Sequence, residues 1–281
     1  MVGAGRATRA VACGSLALLI GCSADSFVPI PSASPPLAVY VAEDYSFTGP
    51  DTLPAGAATV RIQNRGREPH QIQLVKLEEG RSLRDMAAAL SVTSGKLPPG
   101  VTQMGGPNAV SAGGTSEAQV SLSPGSYAII CMVPSHSGRT HAALGMVKAV
   151  RVVENDVPSP RTPSDYHVAL REFEIVVVEA VKRGTHKFQV RNQGTQPHQV
   201  SLVKLNPGSS AQDIAAAFLP RTSTAVPGQL VGGMTGLEPG ADGTFTATLS
   251  EGRYTFMCLF PDPASPDSHA AKGMVMNFTV E

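Results

Sequence analysis

Cys131 closes an apolar run, Tyr127-Ala-Ile-Ile-Cys131-Met-Val-Pro134, and a serine- and glycine-containing loop follows before His141 and Met146. A thiolate, an imidazole and a thioether around one strand-to-strand turn form a soft ligand set. Copper takes this set when a second imidazole completes a trigonal His/His/Cys arrangement with a long axial Met. The second histidine has to come from elsewhere in the chain. The stretch recurs as Tyr254-Thr-Phe-Met-Cys258-Leu-Phe-Pro261, a loop, His269 and Met274.

The missing histidine also occurs twice, in Asn64-Arg-Gly-Arg-Glu-Pro69-His70 and in Asn192-Gln-Gly-Thr-Gln-Pro197-His198. An offset of 128 relates His70 to His198, His141 to His269 and Met146 to Met274, and 127 relates the two cysteines. Two metal sets result: His70, Cys131, His141 and Met146, and His198, Cys258, His269 and Met274. A buried Cys by itself is usually a small hydrophobe, and a Met opening a strand is usually core. Four ligand types in the same order, twice, favour the metal reading. A Cys131–Cys258 disulfide suits an exported chain, but it needs Cα atoms within about 7 Å. The equivalent buried strand ends of two sandwiches are not expected to meet that closely. His167 and His186 have no histidine counterpart in the first copy and are read as half-exposed strand residues.

These ligands need strands to hold them. Residues 57–63 and 185–191 alternate polar and apolar side chains, as half-buried strands do. The Asn-x-Gly turns follow, and His70 and His198 open the next strand of each copy. Ser82-x-x-Asp85 and Ser210-x-x-Asp213 are helix starts with a serine cap and an acid three residues on. Glycine-containing loops come next. Paired strands at 117–122 with 127–132 and at 244–249 with 254–259 turn at Pro124-Gly125 and Glu251-Gly252. Final strands begin at Met146 and Met274. The fold class is all-β, with two tandem Greek-key sandwiches and one short helix inserted in each.

At 281 residues, with 28 Gly, 23 Pro and only 16% charged residues, the chain suits two turn-rich β domains. Lys+Arg and Asp+Glu both number 22, so there is no basic footprint and no nucleic-acid partner is expected. Arg6 and Arg9 precede a short apolar run that reads as a secretory signal. It ends Leu19-Ile20-Gly21-Cys22, which resembles the bacterial lipobox and implies acylation of Cys22. The expected organisation is a signal over 1–21, a lipidated Cys22 with an extended tether over 22–37, a first domain over 38–153, a linker over 154–165 and a second domain over 166–281. The protein is expected outside the cytoplasm, on the periplasmic or cell-surface side, anchored to a bacterial membrane through Cys22.

The motifs Asn-x-Gly-x-x-Pro-His, Gly-x-Tyr-x-x-x-Cys-x-x-Pro and His-x-x-x-Gly-Met occur twice, in order. In this the chain resembles the cupredoxin, or blue-copper, family over nearly all of its mature length. The resemblance implies two cupredoxin domains, one copper in each, and ligand roles for the eight residues of the two sets. One feature departs from the family, whose loop runs Cys-x4-His. Six residues separate Pro134 from His141, and seven separate Pro261 from His269. His136 stands at the ordinary distance from Cys131, but Pro263 occupies that place in the second copy, and only His141 keeps the spacing to Met. His141 is therefore chosen over His136. The expected function is extracytoplasmic electron transfer by a tethered, non-enzymatic protein with a redox or copper-exchange protein partner. The alternatives are copper delivery without redox turnover and a metal-free interaction module.

Overall fold

The computed structural model describes residues 1–3, 5, 34–92, 97–155, 162–219, 225–265 and 267–281. Cys22, most of the expected signal and tether, and the middle of the expected linker lie outside the described residues. Among the described residues no helix is long and apolar enough to cross a membrane.

The alternating stretches form strands where period-two burial predicts them. Gly56–Asn64 turns Val60 and Ile62 inward, and Gly184–Asn192 does the same with Phe188 and Val190. These two strands sit in one eight-stranded sheet. Its order is Glu174–Val177, Tyr166–Arg171, Gly184–Asn192, Asp242–Leu249, Thr115–Leu122, Gly56–Asn64, Leu37–Glu43 and Ser46–Thr48. Each half backs its part of that sheet with a second layer. In the first half this layer is Thr52–Pro54, Val147–Val153, Gly125–Ile130, Gln73–Leu77 and Val101–Gln103. In the second it is Gly228–Leu237, His198–Leu205, Gly252–Met257 and Val275–Val280. Both halves are thus two-layer β-sandwiches with a buried apolar middle, and the all-β class holds.

The halves do not stand apart as beads on a linker. Asp242–Leu249 pairs antiparallel with Thr115–Leu122, matching Thr244 to Gln119, Phe245 to Ala118 and Thr246 to Glu117. That pairing covers two strand edges that would otherwise expose a row of backbone donors and acceptors. Residues 32–281 accordingly form one compact unit. Asn108, fully buried, ties the halves from the other side: its Nδ2 donates to Val200 O at 3.0 Å, Ser201 Oγ at 3.1 Å and Met234 O at 3.2 Å.

Two local expectations change. The strand after the first Asn-x-Gly turn begins at Gln73, not at His70, which instead bridges Val110. His198 does open its strand. The second glycine-containing loop includes a ten-residue strand, Gly228–Leu237. Its glycines serve close approach: a Cβ on Gly233 would lie 2.1 Å from Val200 O. The helices Leu83–Val92 and Ala211–Ala217 start where the serine caps place them. Ser210 and Asp213 close a reciprocal capping box.

Candidate metal centre

Each cysteine is delivered by a pinned strand. Tyr127 Oη donates to Ser123 O at 2.8 Å and Tyr254 Oη to Ser250 O at 3.0 Å. This fixes the hairpin turn at the start of Gly125–Ile130 and of Gly252–Met257. Four residues on, Cys131 and Cys258 arrive fully buried at the strand ends, and both are free thiols, so no disulfide joins them.

The late loop locks the other groups to the cysteine through its backbone. Ala142 N–H donates to Cys131 O at 2.7 Å, Met146 N–H to His141 O at 2.9 Å and Cys131 N–H to Met146 O at 3.3 Å. The second half repeats this with Ala270 to Cys258, Met274 to His269 and Cys258 to Met274 at 2.8, 2.9 and 3.1 Å. The extra loop residues are pinched off as an excursion. Pro134 bridges Thr140 and Pro261 bridges Ser268, while His141 N–H reaches back to Val133 O and His269 N–H to Phe260 O. A long loop therefore closes on the ligands like a short one. His136 sits on the excursion and is exposed.

The fourth contributor comes from the Asn-x-Gly turn. Asn64 Nδ2 donates to Glu68 O and Val110 O, and its Oδ1 accepts from Gly66 N–H. Asn192 makes the matching bonds to Gln196 O, Leu237 O and Gly194 N–H. Only glycine fits the middle of these turns. A Cβ on Gly66 would lie 2.6 Å from His70 Nε2, and one on Gly194 2.8 Å from His198 Nε2.

The donor atoms converge. In the first half, His70 Nδ1 lies 3.1 Å from His141 Nδ1, and Cys131 Sγ lies 3.4 Å from His141 Nδ1 and 3.9 Å from His70 Nδ1. In the second, the corresponding separations are 3.0, 3.5 and 4.0 Å. The circle through each set of three atoms has a radius of about 2 Å, the length of a bond from a metal to imidazole nitrogen or thiolate sulfur. All six side chains are buried, as are Met146 and Met274. The structure thus brings His70, Cys131 and His141 together, and likewise His198, Cys258 and His269. The backbone bonds just described hold buried Met146 beside His141 and Cys131, and Met274 beside His269 and Cys258.

Electrostatics favours uncharged ligands until a metal enters. Burial pushes both thiols up to about 12, with partial relief from the N–H groups of Gln71 and Val133 at Cys131 and of Gln199 and Phe260 at Cys258. Burial lowers the imidazoles too, and takes His269 down to about 4 with help from the neighbouring His198. Neutral imidazoles offer lone pairs. A thiol this hard to ionise gains most from a cation that displaces its proton.

Several residues around the sites carried no sequence signal of their own. Asp44 Oδ1 meets His70 Nε2 at 3.1 Å and Glu68 Oε2 meets His141 Nε2 at 2.7 Å. Against the opposing effect of burial, N–H donors of Arg67 and Glu68 and the His70 ring hold the Asp44 carboxyl down at about 2. Tyr45 and Phe173 are the non-glycine residues of positive φ among the described residues, at 68° and 58°. This conformation is strained for an aromatic residue. Each ring stands nearly perpendicular to a site histidine, Tyr45 to His141 with centroids 5.2 Å apart and Phe173 to His269 with centroids 5.4 Å apart. A cleft of about 520 Å³ between the halves, bordered by Pro134, Thr140, Gln199 and Pro261, reaches His269.

Each half is a cupredoxin-like sandwich. No family model matches the chain, and no curated protein matches it. Among solved structures, this cupredoxin-like chain is similar to dithionite-reduced auracyanin from Roseiflexus castenholzii. The identity is 26%, over 41% of this chain and 94% of that one, with a TM-score of 0.30. It is also similar to auracyanin A, a "blue" copper protein from Chloroflexus aurantiacus. That likeness is 22% identical over 43% of this chain and 100% of that one, with a TM-score of 0.31. A blue copper oxidase from Nitrosomonas europaea is similar over 89% of this chain and 86% of its own, at 15% identity and a TM-score of 0.26. Two His/Cys/His groups could each hold a copper ion in this cupredoxin-like frame.

Proposed function

We propose that this protein is a two-centre copper protein that carries electrons outside the cytoplasm. The observation that carries the reading is the pair of buried His/His/Cys triangles, each sized for a metal at its middle. The donor set of two imidazoles, one thiolate and a candidate thioether is the one copper takes in electron-transfer sites, where it supplies one-electron redox chemistry.

The chain's own residues explain why transfer is favoured over metal hand-off. His70, Cys131 and His141 are fully buried, as are His198 and Cys258, while His269 is 1% exposed. The backbone lock between Cys131, His141 and Met146 leaves little room for the ligands to part. A rigid, dry ligand cage keeps one geometry in both oxidation states, which suits electron transfer. A delivery protein needs ligands that open. Met146 and Met274 are proposed as the residues that would supply the thioether to each set. Export and tethering through acylated Cys22 complete the proposal, supported by the Leu19-Ile20-Gly21-Cys22 motif. A redox protein is the proposed partner.

The test is the copper content, visible spectrum and voltammetry of the purified full chain. Two coppers, sulfur-to-copper charge-transfer colour and reversible one-electron waves are expected. Copper that exchanges quickly with a chelator and shows no reversible wave would favour delivery. A folded chain that takes up no copper would favour an interaction module. Turnover of dioxygen or of a reducing substrate would replace the carrier by an enzyme.

A further inference from the structure

The two centres share ligands and loop geometry but not the groups on the far side of the imidazoles. In the first half both Nε2 atoms meet carboxylates, Asp44 at 3.1 Å and Glu68 at 2.7 Å. Tyr45 Oη holds the other oxygen of Glu68 at 3.2 Å. At the same offset of 128, the second half has Glu172 for Asp44, Phe173 for Tyr45 and Gln196 for Glu68. Glu172 turns to the backbone N–H groups of Thr195 and Gln196 and stays 3.7 Å from His198 Nε2, beyond hydrogen-bond distance. His198 Nε2 and His269 Nε2 are buried with no hydrogen-bond partner, and so is Gln196 Oε1. Lys272 adds a cation at 5.1 Å over the Phe173 ring, although Asp262 pairs with it.

A carboxylate accepting the imidazole N–H makes the ring a stronger donor and adds negative charge near the metal. Both effects favour the more positive oxidation state. A ring whose N–H has no acceptor is a weaker donor and favours the reduced state.

We propose that Asp44 and Glu68 set the first centre at a lower reduction potential than the second, so that a single electron entering the loaded protein settles at the His198/Cys258/His269 centre. With copper held by both His/Cys/His sets, an internal exchange would balance by itself, the first set's ion giving up the one electron that the second set's ion takes. This inference rests on the copper reading above. It adds a direction to electron flow and names Glu68 as a positioning and tuning residue.

The experiment is redox titration of the purified, copper-loaded full chain, alongside C131S and C258S chains that each keep one centre. Copper content is measured first, so a failure of copper binding is told apart from a failure of the ordering. We expect the half-reduced protein to hold its electron at the second centre in at least a tenfold excess, a separation of about 59 mV or more. Glu68→Gln should raise the first centre's potential toward the second, and Gln196→Glu should lower the second toward the first. In the metal-free protein, an exchange-protected low-field imidazole N–H signal from His141 should be lost in Glu68→Gln. Equal potentials, a reversed order, or potentials indifferent to both substitutions in loaded, folded protein would overturn the proposal. A chain without copper would overturn it together with the reading it rests on.

Discussion

The Nδ1 atoms of His70 and His141 face each other at 3.1 Å inside the first sandwich. Both rings turn their Nε2 toward carboxylates, so the Nε2–H tautomer is favoured and each Nδ1 presents a lone pair. Two buried lone pairs at this distance repel unless a proton or a cation lies between them. A metal ion held by both nitrogens would relieve this repulsion, and copper suits the donor set. Copper should stabilise the protein strongly: at a hundredfold excess over its dissociation constant, each site adds about 2.7 kcal/mol. Thermal melts with and without Cu(II) would check this, and an unchanged midpoint would count against metal binding.

The sites share no ligand, so they should empty one at a time. Cys131→Ser should remove one copper and part of the visible colour, and Cys258→Ser should remove the other. Metal analysis of the two variants decides the matter. Loss of both coppers from either single change would mean that the centres are not independent.

His141 and His136 provide a sharper contrast. His141 belongs to the buried cluster, whereas His136 lies exposed on the pinched-off excursion. His141→Ala should cost the first copper, and His136→Ala should leave copper content and colour unchanged. The reverse result would show that the excursion refolds to present the nearer histidine.

Metal-free stability should peak near neutral pH. The four site imidazoles have lowered folded values, with His269 at about 4, against an unfolded value of about 6.5. Below pH 6.5 the unfolded chain takes up protons that the folded chain refuses, so stability falls between pH 6.5 and 4. The cysteines, raised from 9.0 to about 12, work on the other side. Above pH 9 the unfolded thiols ionise first, and stability falls toward pH 12. Denaturant melts of metal-free protein across this range would show the dome, and a flat profile would refute it.

Asn108 should couple the halves. Its three donated bonds all cross to the second half. Asn108→Ala leaves buried acceptors unpaired at a cost of about 1–3 kcal/mol. With the shared sheet intact, calorimetry of the wild type should show one cooperative transition, and the variant should shift it downward. Two separate transitions in the wild type would mean that the edge pairing of Thr244 with Gln119 is too weak to join the halves.

Cys22 carries the proposal of location. Cys22→Ala should abolish lipid labelling and release the protein from the membrane fraction. Labelling that persists in the variant would remove the anchor from the account.

The repeat, the sandwich strands and the ligand types follow from the order of residues alone. Hydrophobic alternation is local, and each ligand motif sits within a few residues of the turn that presents it. The choice of His141 was also legible, because a second copy showed which histidine kept its distance to methionine. What surrounds those ligands follows from the three-dimensional packing. Glu68 reaches a histidine 73 positions away, and Gln196 in the same place leaves its counterpart bare. Nothing in either local sequence announces that contact, since it depends on where two loops come together in space. The shared sheet was hidden for the same reason. Thr115–Leu122 and Asp242–Leu249 read alike as half-buried strands, and whether their free edges meet each other is settled by how the two sandwiches pack, with Asn108 and Thr235 donating across the join.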